Sequence, residues 1–223
     1  MKDYLKGVVD SAQGQLIKTC VAREYLQARI LQMLQEAGSF RNWAFAGGTS
    51  LRFIYSIPRF SEDLDFSVID TSKPANFREA LNRVKSGFDK EAYQVSLTIK
   101  DEKTVASAFV KFPGLPRELG LSPHTSQALS VKVELDLNPL QGAGYETTLV
   151  RRHVVLNILH YDKPSLFAGK LHALLTRKYT KGRDIYDLIW YLTDKSLQEP
   201  NFILLNAALE QTKWSGPVLT KKN

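Results

Sequence analysis

Asp63 and Asp65 stand at alternate positions fifteen residues after Gly48, the second glycine of the segment Gly47-Gly48-Thr49-Ser50-Leu51. In a strand, residues two apart project to the same side, roughly 6.5 to 7 Å apart along the axis. Both carboxylates then converge on one space while Leu64 and Phe66 face a core. Oxygen ligands favour hard cations, so the metal expected of the pair is Mg²⁺, with Mn²⁺ able to take its place. Two such ions about 3.5 to 4 Å apart bridge a triphosphate, stabilise a leaving pyrophosphate and polarise an attacking hydroxyl. Adjacent glycines between a predicted strand and a predicted helix let backbone amides approach phosphate oxygens with no Cβ in the way. Thr49 and Ser50 add hydroxyl donors. The combination implies metal-dependent transfer of a nucleotidyl group from an NTP.

Further polar groups fit the same chemistry, each with a plainer reading beside it. Glu134 and Asp136 offer a third carboxylate for a metal or for the proton of the incoming hydroxyl, with Glu134 the first choice; a charged outer strand face is the alternative. Lys170, Leu174 and Arg177 fall along one helix side, and Lys181-Gly182-Arg183 lead into a helix near Asp184. Lys170 and Arg183 would neutralise phosphate charge, with Asp184 orienting one of them. A solvated amphipathic helix pair, with Asp184 favourable at a helix N-terminus, explains the same spacing. His124, His153, His160 and His172 lack metal-ligand spacing and read as structural.

These side chains need elements to position them. Leu16, Ile17, Val21, Leu26, Ile30, Leu31 and Leu34 recur at mostly helical spacing, which predicts a helix over 15–37 with Gly38 to stop it. A short buried strand is expected over 42–46, then a helix from the glycines that Pro58 ends, then a strand over 64–69. A helix over 77–93 and strands over 94–100 and 106–112 follow, then a Gly/Pro-punctuated loop over 113–123. The clearest strand is 130–138, where Val131, Val133, Leu135 and Leu137 alternate with Lys132, Glu134, Asp136 and Asn138. Ser165 is the expected N-cap of a helix burying Leu166, Phe167, Leu171, Leu174 and Leu175. A second helix is expected to bury Ile185, Leu188, Ile189 and Leu192.

At 223 residues with 43% hydrophobic content, the chain suits one packed domain or a core with a smaller lobe. Residues 151–223 hold 12 Lys+Arg against 6 Asp+Glu, and the remaining residues hold 18 against 17. This one-sided basic surface suits a polyanion such as RNA, or nucleotide phosphates; a solvated basic face is the alternative. Apolar runs such as 202–205 are too short to cross a bilayer, and residues 1–30 lack a secretory succession, so a cytoplasmic protein with no membrane partner is expected. A single cysteine, Cys20, excludes an internal disulfide and reads as core.

Taken together, these segments resemble the AbiEii family of nucleotidyltransferase-like toxins, which includes the MenT toxins. The resemblance spans residues 40–192. It is carried by Phe45-Ala46-Gly47-Gly48-Thr49-Ser50-Leu51, by Ile57-Pro58-Arg59-Phe60-Ser61-Glu62-Asp63-Leu64-Asp65-Phe66, by 166–174 around Lys170, and by Lys181-Gly182-Arg183-Asp184-Ile185-Tyr186-Asp187-Leu188. It implies an α+β fold with a polymerase-beta-like core over 1–150, and a basic helical C-terminal lobe over 151–223 that completes the active site. It also implies a toxin with a cognate antitoxin, moving nucleotides from an NTP onto RNA, in relatives onto tRNA 3′ ends, so that translation stops. Gly48, Thr49, Asp63, Asp65, Lys170 and Asp184 carry over by motif, and Arg183 and Asp187 are further family positions. The alternatives are transfer to a small molecule or protein side chain, or a catalytically silent nucleotide-binding module. Keeping both Asp63 and Asp65 argues against the silent module.

Overall fold

Strands that are apolar on one side only build a sheet with one face packed and the other open. A computed structural model describes residues 2–194 and 198–222. Its strands are β1 (Trp43–Ala46), β2 (Asp63–Val68), β3 (Ser96–Lys100), β4 (Val105–Pro113), β5 (Ala128–Asp136), β6 (Tyr145–Arg152) and β7 (Val154–Tyr161). Together they form one sheet in the order β3-β4-β5-β2-β1-β7-β6. It is a mixed sheet. β2 runs antiparallel to β1 and parallel to β5, and β4 runs antiparallel to both β5 and β3. The helices are α1 (Lys2–Ser11), α2 (Gln15–Glu36), α3 (Gly47–Ile54), α4 (Phe77–Lys90), α5 (Leu115–Glu118), α6 (Lys163–Thr176), α7 (Gly182–Thr193) and α8 (Phe202–Gln211).

The chain divides into two compact units. The first is Met1–Asn138 with Thr148–Leu159, and the second is Pro139–Thr147 with His160–Asn223. The boundary expected at residue 150 therefore falls inside β6, where the chain has already left the first unit once and returned.

In the first unit, Leu26, Ile30 and Leu34 of α2 and Leu81, Val84 and Phe88 of α4 share one core with Leu64, Phe66, Val110, Phe112, Val131, Val133 and Leu135 of the sheet. Truncating a wholly buried member such as Phe88 to alanine costs about 3 to 5 kcal/mol. The other side of β2 and β5 carries the acids, and this alternation positions the candidate site. α2 follows its expected bounds closely, but Leu16 and Ile17 in its first turn are exposed and Cys20 is half-buried rather than core. The loop expected over 113–123 contains the short helix α5.

In the second unit the N-cap of α6 is Asp162, whose side chain accepts from the Ser165 N–H, so Ser165 lies inside the helix instead of capping it. Leu175 is exposed, and Ala168 packs with Leu204, Leu205 and Leu209. The largest departure is α7. Its buried residues are Asp184, Asp187 and Tyr191, whereas Ile185, Ile189 and Leu192 are exposed. Buried acids paired with cations of the preceding segment hold that face inward, with the Tyr191 ring stacked on Phe167 at 4.3 Å between centroids.

Candidate active site

Register fixes which side chains lie side by side on the open face of the sheet. Across the parallel pair of β2 and β5, Asp63 is opposite Lys132 and Asp65 is opposite Glu134. On the other side of β2, Asp65 is opposite Ala46, the last residue of β1 before the glycines. Asp63, Asp65, Lys132 and Glu134 are all partly buried, between the inward-facing Leu64, Phe66, Val133 and Leu135. Three carboxylates thus share a face across neighbouring strands. Lys132 sits among them, with Nζ 2.7 Å from Glu134 Oε1. The Glu134 hydrogen bond raises the Lys132 pKa above the ordinary lysine value; desolvation opposes this, and the charges of Glu134, Asp63 and Asp65 add to it.

The glycine turn meets this row from the side. Gly47 has φ +73°, a left-handed conformation, and a Cβ built there would land on Asp65 Oδ2. Glycine is required here by backbone geometry and by the close approach of the Asp65 carboxylate. Ala46 is the N-cap of α3 and makes no side-chain cap, so the first amides of the helix have neither an intrahelical acceptor nor a side-chain cap. Such a terminus favours an anion. The hydroxyls of Thr49 and Ser50 are placed differently from the expectation that they would serve as phosphate donors. Both residues are wholly buried, Thr49 Oγ1 donates to the Asp63 carbonyl, and Ser50 Oγ donates to the Gly47 carbonyl at 2.8 Å. Thr49 ties the turn to the Asp63 strand, and Ser50 closes the turn on itself.

Arg59 and Ser61, which stand in the segment leading to Asp63, lie over Gly48. A Cβ there would stand 2.9 Å from both Arg59 Nη2 and Ser61 Oγ. Their segment is pinned from behind. Gln27 Nε2 donates to the carbonyls of Ser61 and Glu62 at 3.0 and 2.9 Å, Arg23 pairs with Glu62 at 2.5 Å, and Arg52 Nη1 donates to the carbonyls of Ile57 and Pro58. Arg52 itself is held by buried Glu24, with Arg152 and His153 on the same carboxylate. Burial alone would raise the Glu24 pKa, but hydrogen bonds from His153 and Arg52 and the charges of Arg52 and Arg152 hold it down at about 2.

In the second unit, Lys170 Nζ lies 2.9 Å from Oδ2 of the buried Asp187, and Arg177 pairs with the buried Asp184. The residue that orients Lys170 is therefore Asp187, whereas Asp184 pairs with Arg177. Arg183 is exposed. The spacing of Asp187, three residues after Asp184, carried a signal: both fall on one side of the helix, next to basic residues of the preceding one.

Among the described residues no group of three or more His, Cys, Asp or Glu side chains is gathered tightly enough to form a metal cage. Mg²⁺ does not need one, because it is held by one or two carboxylates together with waters and substrate phosphates. Asp63 and Asp65, on one strand face beside the α3 N-terminus, fit that requirement. A cavity of about 730 Å³ lined by Arg78, Asn82, Arg83 and Asp101 among others includes none of these acids.

The model of the family described as nucleotidyl transferase AbiEii toxin, type IV TA system, matches residues 29–221. Among solved structures, JHP933 from Helicobacter pylori is 21% identical, with a TM-score of 0.55 over 86% of this chain and 73% of that one. A candidate nucleotidyltransferase from H. pylori is also 21% identical, with a TM-score of 0.54 over 86% of this chain and 76% of that one. No curated protein matches the chain. The mixed sheet with flanking helices is a polymerase-beta-like core.

Proposed function

The chain belongs to the AbiEii family of nucleotidyl transferase toxins of type IV toxin–antitoxin systems, and we propose that it transfers nucleotides from an NTP to RNA, with tRNA 3′ ends as the acceptor, so that translation stops. The observation that carries this reading is the row Ala46, Asp65, Glu134: an uncapped glycine turn, a strand acid and a second acid on the adjoining parallel strand. Asp63 and Asp65 would hold Mg²⁺, or Mn²⁺ in its place, and the ion supplies charge neutralisation at the triphosphate and a more acidic attacking hydroxyl when bound. The amides of Gly47, Gly48 and the first turn of α3 bind phosphate oxygens, and Arg59 beside Gly48 adds a cation. Thr49 and Ser50 keep the turn rigid through their internal hydrogen bonds. Glu134 accepts the proton of the incoming hydroxyl at its carboxylate, and Lys132 neutralises the charge left in the row. Lys170 and Arg183 are assigned to phosphate neutralisation on the motifs they occupy, with Asp187 orienting Lys170 and Asp184 bracing Arg177.

The basic C-terminal third, 12 Lys+Arg against 6 Asp+Glu over 151–223, favours a nucleic-acid acceptor over a small molecule. The family also gives the protein an antitoxin as partner, and a reducing cytoplasm suits its single cysteine. The test is incubation of the protein with Mg²⁺, each labelled NTP in turn and total tRNA. Label is expected in the RNA, and none is expected from Asp63→Asn protein with an unchanged circular dichroism spectrum. Label in a small molecule or in protein, or normal transfer by folded Asp63→Asn, would overturn the proposal.

A further inference from the structure

We infer that the open sheet face of the first unit binds a nucleobase, with Phe109 of β4 as its stacking platform; the inference rests on the nucleotidyl-transfer reading and names how that site takes its substrate. Phe109 is 39% exposed, although its strand neighbours Ala108 and Val110 are buried in the core at 1% and 0%. Sheet alternation therefore turns the ring outward, onto the face that carries the acids. The register is explicit: Thr98 of β3, Phe109 of β4, Lys132 of β5 and Asp63 of β2 form one transverse row. Adjacent strands are about 4.8 Å apart, so Phe109 lies about 10 Å from Asp63 along that row. A ribose and a phosphate span such a distance. A phosphate at Asp63 thus leaves its base within reach of the ring.

The surroundings match that ligand. Lys111 Nζ lies 6.0 Å from the Phe109 ring centroid, and Lys132 occupies the position between the ring and the acid. Thr98, Ser107 and Ser130 make the neighbouring positions on this face polar, which leaves Phe109 as an apolar plane in a polar, cationic setting. An aromatic plane flanked by cations is what single-stranded nucleotides use, because every base has a π-face and every linkage a negative charge. Two nucleotides offer this chemistry: the incoming NTP and the 3′-terminal residue of the acceptor.

The test separates the two. The full-length protein is titrated in Mg²⁺ buffer against 2-aminopurine riboside triphosphate alone, and separately against a short single-stranded oligoribonucleotide ending in 2-aminopurine. Neither probe by itself supplies both halves of a transfer reaction. Quenching of one probe is expected, and it identifies the source of the base. Phe109→Ala should remove the quenching and weaken binding of that probe roughly tenfold, and Phe109→Tyr should keep both. Absence of quenching by the wild-type protein, or binding and quenching by folded Phe109→Ala equal to wild type, would overturn the inference. The labelled-NTP assay is scored independently. Normal transfer with no effect of Phe109→Ala on either probe removes the platform and leaves the transfer reading standing. Phe109-dependent quenching with no transfer to RNA does the reverse.

Discussion

Lys170 and Asp187 form an ion pair in which the Asp187 side chain is fully buried and the Lys170 side chain is 13% exposed, with Nζ 2.9 Å from Oδ2. Removing one member of such a pair leaves an uncompensated charge, at a cost of about 3 kcal/mol. Lys170→Ala should therefore lose both activity and stability. The double variant Lys170→Ala with Asp187→Asn should recover much of the melting temperature and none of the transfer. Thermal denaturation beside the labelled-NTP assay separates these roles.

Gly47→Ala puts a Cβ where the Asp65 carboxylate lies, on a backbone at φ +73°. The left-handed conformation alone costs about 1 to 2 kcal/mol for alanine, and displacing Asp65 should cut transfer by more than tenfold. Denaturant unfolding and turnover measured on the same preparation check the prediction. Wild-type turnover would show that the Asp65 position tolerates the shift.

Lys132→Met removes a cation from among Asp63, Asp65 and Glu134. With that charge gone, the acids should hold a divalent ion severalfold more tightly. Calorimetric titration with Mg²⁺ reads this directly, without any turnover. Unchanged or weaker Mg²⁺ binding would place the ion elsewhere.

Glu24 has a folded-state pKa of about 2 against an ordinary 4.5. Its contribution is present above pH 4.5 and is lost as pH falls from there toward 2, on the order of 2 kcal/mol once solvent screening is allowed for. Glu24→Gln should flatten the stability curve over that window. Chemical denaturation at several acid pH values gives the slope.

Ile189 is 55% exposed and Tyr191 is 1% exposed on the same helix. Ile189→Ser should change stability by less than about 0.5 kcal/mol, whereas Tyr191→Ala should cost several kcal/mol through its lost stacking on Phe167. The reverse order in a melting experiment would restore the apolar side of α7 to the core.

The sequence made most of the first unit readable, because its elements obey simple periods. Strict alternation over β5 placed Lys132, Glu134 and Asp136 on one face, and the D-x-D of β2 did the same for Asp63 and Asp65. The glycine turn was equally plain, but Thr49 and Ser50 were not, since a hydroxyl that caps its own turn looks in sequence like one that faces a ligand. α7 departs from its expected face for a related reason. Buried acids with cationic partners imitate a solvated face, so Ile185, Ile189 and Leu192 took the place of Asp184, Asp187 and Tyr191 in a count of apolar spacing. Phe109 carries no signal in sequence alone, because an exposed aromatic on a strand becomes informative only once its cross-strand neighbours are known.

The path of the chain between its two units, out at Pro139, back at Thr148 and out again at His160, makes the protein hard to dissect. No single truncation yields either unit both whole and alone. Cutting before His160 strands the short 139–147 excursion without the segments it clusters with, and cutting before Pro139 deprives the sheet of its β6 and β7 border. Deletion mapping by stepwise shortening would therefore report misfolding in place of modular activity, and point substitutions are the sounder instrument for assigning roles.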